Sequence, residues 1–174
     1  LWDRNLDAER ELQGFLDVSG CHVDILFPVY KMMTAHVLRN QAFKPYGMKE
    51  SLIEWLTGER ATDYSTASAS GLLDIRKRDW NQPLLEKLGF RREQMPRLLR
   101  HNVGAGRTNV GGESILVVPG LGDGGSASYA CKAVSEVAAN IGTTMAAREL
   151  SPVIRHSSPD RTWTFVVDES RFVN

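Results

Sequence analysis

Cysteine is scarce in this 174-residue chain: Cys21 and Cys131 stand far apart without CxxC spacing. That pair is too small for a disulfide framework or a cysteine zinc site, and a reducing, cytoplasmic setting is expected. Long apolar runs are missing as well. No stretch approaches the ~20 residues of a membrane span, and the opening Leu-Trp-Asp-Arg-Asn has neither Met nor a signal-peptide pattern. The absent Met, and an end at residues 170–174 that follows a strand-like run without a closing element, predict an interior piece of a longer chain. An excess of one charge is also lacking, since Lys plus Arg and Asp plus Glu are both 21. No net field therefore favours a polyanion or a membrane surface. Gly at 15 and Pro at 7 are too few for a low-complexity polymer, while 42% hydrophobic residues suffice for a core.

Apolar periodicity predicts helices through most of the first half. Leu12, Phe15 and Leu16 make a short stripe. Pro28 suits a first helical position, and Tyr30, Met33, Val37 and Leu38 follow at core spacing, predicting a helix to about Ala42. Met48, Leu52, Trp55 and Leu56 predict another buried face, ended by Gly58. The hydroxyl-rich run Thr62–Ser70 favours caps, turns or a tightly packed helix. Residues 81–89 read as a short helix with Pro83 in its first turn and Gly89 at its end. Residues 102–113, with four glycines, read as a loop.

Then the pattern changes. Ser114–Val118 is a β-branched apolar run of the kind buried strands use. A glycine-rich turn follows, and Ala127, Ala130, Cys131, Val134, Val137 and Ala138 recur as a helical stripe. Strand, tight loop, helix is an α/β signature. Residues 141–146, 153–155 and 162–167 read as further strands.

Gly120-Leu-Gly-Asp-Gly-Gly125 literally satisfies GxGxxG, the dinucleotide fingerprint. A carboxylate at Asp123 would repel a pyrophosphate, so hydride-transfer chemistry is discounted. An acid on a glycine-flanked turn after a strand can instead accept a proton from a bound substrate; capping the following helix is the competing role. Ile141-Gly142-Thr143-Thr144 could form a small anion cradle or an ordinary turn. Arg148 suits bidentate recognition of a carboxylate, or stands as a solvated strand-end cation.

Together these runs resemble the FGGY carbohydrate kinase family, and within it the gluconate-kinase-like branch. The resemblance covers nearly the whole chain. Leu56-Thr-Gly-Glu59 with Thr62-Asp-Tyr-Ser-Thr-Ala-Ser68 resembles the family's LTGE…TDYSxAS signature, and Gly71-Leu-Leu-Asp-Ile75 with Asp79-Trp80 its continuation. Gly120–Gly125 is similar to the family's G-x-G-D-G loop, and Ile141–Arg148 resembles the IGTSGAVR stretch of gluconate kinases.

That resemblance implies an α/β, ribonuclease H-like fold of the actin, hexokinase and sugar kinase superfamily. Residues 1–132 would be the later part of a substrate-side N-terminal domain, and 133–174 the start of a nucleotide-side C-terminal domain. It implies ATP-dependent phosphorylation of a hydroxyl on a sugar, sugar acid or polyol, gluconate-like favoured, with ATP and Mg2+ as cofactors. Asp123 would be the general base. Gly142, Thr143 and Thr144 would face the phosphates. Trp2-Asp3-Arg4 resembles the substrate-side W-x-D-x-R element at shorter spacing, and Tyr64 falls at a substrate-contacting position, where packing against the adjoining helix is the alternative. No residue is assigned as a metal ligand. The family's N-terminal DxGTT-type motif and C-terminal adenosine segments are absent, and Thr144-Met145 replaces Ser-Gly.

Two other classes compete. Residues 76–107 hold nine Lys or Arg against Asp79, Glu86 and Glu93, a local surplus of six, yet only Trp80 and Phe90 offer stacking, so no specific nucleic acid is expected. A non-catalytic, actin-like binding module is the other. Neither a membrane partner nor a fixed oligomeric state is implied, and a homodimer stays open.

Overall fold

The computed structural model describes residues 6–22, 27–34, 45, 47–131, 137–142, 145–155 and 162–174. Helix α1 (Leu6–Ser19) buries Leu12 completely and rests Phe15 against the core. Pro28 opens α2 (Pro28–Thr34), whose Val29 and Tyr30 are buried; positions 35–42 of the predicted helix lie outside the described residues. Helix α3 (Met48–Thr57) ends as expected, on Gly58 at φ +76° with its amide donating to Glu54 O.

The face α3 buries is not the predicted one. Met48, Leu52 and Trp55 are 89%, 53% and 79% exposed, while Ile53 and Glu50 are buried. Glu50 tolerates burial because its carboxylate accepts from Thr62 Oγ1 at 2.5 Å and from the Gly47 amide at 2.9 Å, and a buried polar group with partners is not costly.

Strand β1 (Ala61–Asp63) pairs in parallel with β4 (Arg97–Leu99), and the whole of β1 is buried. Asp63 then caps α4 (Tyr64–Ala69): its Oδ1 accepts from the amides of Ser65 and Thr66 at 2.8 and 3.1 Å. Its Oδ2 accepts from Thr66 Oγ1 at 2.6 Å and pairs with Lys49. Asp63→Ala removes the cap and the ion pair, leaving the Lys49 ammonium its hydrogen bond to Thr66 Oγ1 at 3.0 Å. We expect a loss of about 2 kcal/mol, measured by urea unfolding, with Asp63→Asn losing less because its amide oxygen still caps.

Hairpin β2 (Leu73–Asp74) and β3 (Asp79–Trp80) leads to α5 (Gln82–Lys87). Here the sequence reading holds in detail: Asn81 caps Leu84, Pro83 sits in the first turn, and Gly89 follows at φ +79°. Leu72, Leu73, Leu84, Leu85, Trp80 and Phe90 join Leu12 and Tyr30 in one core. Trp80 Nε1 donates to Pro96 O at 3.0 Å, so its polar atom is satisfied inside that core.

Residues 102–113 are not all loop, and 114–118 is not a buried strand. Strand β5 (Gly106–Val110) and β6 (Glu113–Val117) form an antiparallel hairpin with Val110 opposite Glu113. Gly111 and Gly112, at φ +60° and +87°, supply the two positive-φ positions that a tight two-residue hairpin turn needs. The hairpin lies against α3, with Val117 on a small second core of Ile53, Ala61, Leu99 and Ala105, while Ile115 and Leu116 are exposed.

Helix α6 (Asp123–Cys131) follows, with Gly125 and Ser128 as its buried residues rather than the predicted apolar stripe. Val137 and Ala138, read as that stripe's end, belong to β7 (Val137–Ile141); Val134 lies outside the described residues. The predicted strand at 141–146 is not one strand: Ile141 ends β7 and Met145 begins β8 (Met145–Ser151), and the two pair antiparallel with Ile141 opposite Met145. Pro152 ends the ladder, so 153–155 is not a strand. Short β9 (Phe165–Val166) and β10 (Phe172–Val173) complete an antiparallel sheet in the order β7-β8-β10-β9. Val166 and Phe172 enter the same core as Leu12 and Tyr30, and Val166 N donates to Ser68 Oγ at 3.2 Å. No helix among the described residues is long and apolar enough to cross a membrane.

Candidate active site

Asp123 is the first residue of α6 and is exposed. One of its carboxylate oxygens, Oδ1, accepts from the Gly124 amide at 2.7 Å. The carboxylate is not walled off: it lines a cavity of about 140 Å3 with Gly122, Gly124, Gly125, Ser65, Arg148 and Trp163. Phe27, Cys21, Ala69, Thr164 and Phe165 complete the walls.

Each glycine of the turn has a separate physical reason. Gly120 holds φ +65°, where its amide donates to His101 O at 2.9 Å. At Gly125 a Cβ would stand 2.9 Å from Ser65 Oγ, and at Gly122 3.1 Å from the same atom. At Gly124 it would meet Arg148 Nε at 3.2 Å. Gly122 and Gly125 thus let the N-termini of α4 and α6 close on each other, and Gly124 lets an arginine lie against the turn. The far end of α6 is fixed as well, because Arg171 Nη2 donates to the Tyr129 hydroxyl at 3.0 Å. Its partner Asp168 is pushed up by burial, but hydrogen bonds from Arg171 and the Ser170 amide hold its carboxyl below the usual range.

Arg148 projects from β8 opposite Ala138. Its Nε is buried without a hydrogen-bond acceptor. Asp123 and Arg148 are the charged side chains among the lining residues, and no ion pair joins them. Cys21 is not a nucleophile here: burial pushes its thiol up to about 12, so it stays protonated and serves as a neutral wall.

The structure brings Asp123 and Arg148 together, with Ser65 from the Thr62–Ser68 run. Tyr64 is half-buried against the main core and does not line the cavity. Gly142 is exposed where β7 turns into β8. Trp2, Asp3, Arg4, Thr143 and Thr144 lie outside the described residues. Sequence reasoning missed Cys21, Phe27, Trp163, Thr164 and Phe165 as walls; they carry no spacing signal.

Among the described residues no three His, Cys, Asp or Glu side chains converge as a metal site. The planar guanidinium of Arg148 on the cavity wall suits an oxyanion.

Comparison with known proteins points one way. The profile of the FGGY family of carbohydrate kinases, N-terminal domain, matches residues 2–129. Glycerol kinase of Escherichia coli K12 is 38% identical over 58 residues, a match covering 33% of this chain and 12% of that protein; glycerol kinase of Escherichia fergusonii gives the same figures. Crystal structures of xylulose kinase and of gluconate kinase from Lactobacillus acidophilus each superimpose with a TM-score of 0.87 at 23% identity, over 97% of this chain and 37% of theirs. Plasmodium falciparum glycerol kinase with ADP superimposes at 0.80 and 16% identity, over 98% of this chain and 39% of its own. The fold is therefore the mixed α/β fold of sugar kinases in the actin and hexokinase superfamily. The chain spans well under half the length of these solved proteins.

Proposed function

This chain belongs to the FGGY family of carbohydrate kinases, and we propose that the protein carrying it phosphorylates a hydroxyl of a sugar, sugar acid or polyol, gluconate-like favoured. Asp123 is the general base. ATP, with Mg2+ carried on its phosphates, supplies the phosphoryl group. The acceptor oxygen forms a bond to the γ-phosphorus as the bond to the bridging oxygen breaks and ADP leaves; Asp123 takes the hydroxyl proton. The observation that carries this reading is the exposed Asp123 carboxylate opening into a cavity at a glycine-flanked helix start. The ADP named with the Plasmodium glycerol kinase supports the nucleotide.

Gly142, Thr143 and Thr144 are proposed to face the phosphates, and Trp2, Asp3, Arg4 and Tyr64 the acceptor. The division into residues 1–132 and 133–174 belongs to the same reading, supported by the N-terminal-domain profile ending at residue 129. A cytoplasmic location is proposed with it. The basic run over 76–107 is largely engaged within the chain: Lys77 pairs with Asp74, Arg92 with Asp79, and Arg100 with Glu169. Arg97 donates to Ala105 O and Arg107 to Ser114. That supports a carbohydrate over a nucleic-acid partner.

The test is a phosphorylation screen of the full-length protein with ATP and gluconate, xylulose, ribulose and glycerol, read by ADP release. ADP release that depends on one acceptor is expected. Release indifferent to every acceptor contradicts the kinase reading.

A further inference from the structure

We propose that Arg148 reads a carboxylate on the phosphoryl acceptor, so that the cavity selects a short sugar acid over the neutral polyol of the same length; this rests on the kinase reading above. The cavity holds two opposite charges, Asp123 and Arg148, that do not neutralise each other. Among the described residues no ion pair holds Arg148, so its guanidinium is left to a ligand oxyanion. The position is a prepared one. Gly124 lacks the Cβ that would stand 3.2 Å from Arg148 Nε and 3.4 Å from Cζ, so the guanidinium lies against bare backbone.

The other walls have the complementary chemistry. Phe27, Trp163 and Phe165 offer apolar surface to C–H groups, and the protonated Cys21 adds no charge. A sugar acid meets all three demands: hydroxyl toward Asp123, carbon chain along the aromatic rings, carboxylate on the planar fork of Arg148.

Titration calorimetry of the full-length protein without nucleotide tests this, using D-gluconate and D-glucitol, which differ by a carboxylate against a hydroxymethyl group. The wild type is expected to bind gluconate at least tenfold more tightly. Arg148→Ala is expected to collapse that ratio toward one, a change of about ten- to a hundredfold. Arg148→Lys, which keeps the charge and loses the fork, is expected to fall between, and it decides the matter should the alanine variant not fold. Equal affinities in the wild type, no gluconate binding, or a ratio intact in the variants overturns the proposal. So does a variant in which the KM for ATP rises while the acid-to-polyol ratio stands, because the oxyanion is then phosphate. Failure of the kinase reading is separate: an Arg148-dependent gluconate preference with no phosphorylation of any acceptor overturns only the activity.

Discussion

Asp123→Asn is expected to lower turnover of the full-length protein by about a hundredfold to ten-thousandfold, with stability changed by no more than about 0.5 kcal/mol. The argument turns on what asparagine keeps. Its side-chain oxygen still accepts from the Gly124 amide, as Asp123 Oδ1 does at 2.7 Å, and asparagine serves a helix start about as well as aspartate. What it loses is the ability to take a proton. The substitution therefore separates the two roles open to an acid at this turn. Steady-state kinetics with the acceptor found in the screen, beside a urea unfolding curve, reads both. Undiminished kcat in a stably folded variant reduces Asp123 to a helix-start residue.

Gly20→Ala is the largest expected stability effect. Gly20 holds φ +69° after the last turn of α1, and a Cβ there would stand 2.3 Å from Thr164 O and 2.6 Å from Ile75 Cδ1. The left-handed backbone costs about 1 kcal/mol for a non-glycine residue, and overpacking adds about 1–3 kcal/mol. A loss of about 3 kcal/mol follows. Gly58→Ala is the control, because Gly58 has φ +76° with nothing within 4 Å of its Cβ position; it bears the backbone cost alone. Similar losses for the two variants contradict the steric account. The consequence reaches the site, since Thr164 N donates to Gly20 O at 2.8 Å and its neighbours Trp163 and Phe165 are cavity walls. A raised KM for the acceptor is expected with the lowered stability.

Features set by local chemistry were legible in the sequence. Gly58 and Gly89 end helices because a positive φ is needed there, and Pro28 and Pro83 begin them because a first turn has no use for their missing amide. Gly111-Gly112 carried an equally local signal, two positive-φ residues before a β-branched run, but Gly104 and Gly106 just upstream make the whole stretch read as a loop. The orientation of α3 was not legible. Periodicity points to Met48, Leu52 and Trp55, yet the buried face carries Ile53 and Glu50, and the Thr62 hydroxyl that satisfies Glu50 is brought to it only by folding. Asp123 could be singled out because four glycines fall within the six residues around it. Its cavity could not, because Cys21, Ser65, Arg148 and Trp163 meet only through the packing of α4, α6 and the last sheet.

The most direct measurement is a crystal structure of the full-length protein with its acceptor and a non-hydrolysable ATP analogue. The account predicts one acceptor hydroxyl within about 2.6–3.2 Å of an Asp123 carboxylate oxygen, facing the γ-phosphorus. An acceptor seated elsewhere, with Asp123 turned to solvent and no hydroxyl in reach, contradicts it.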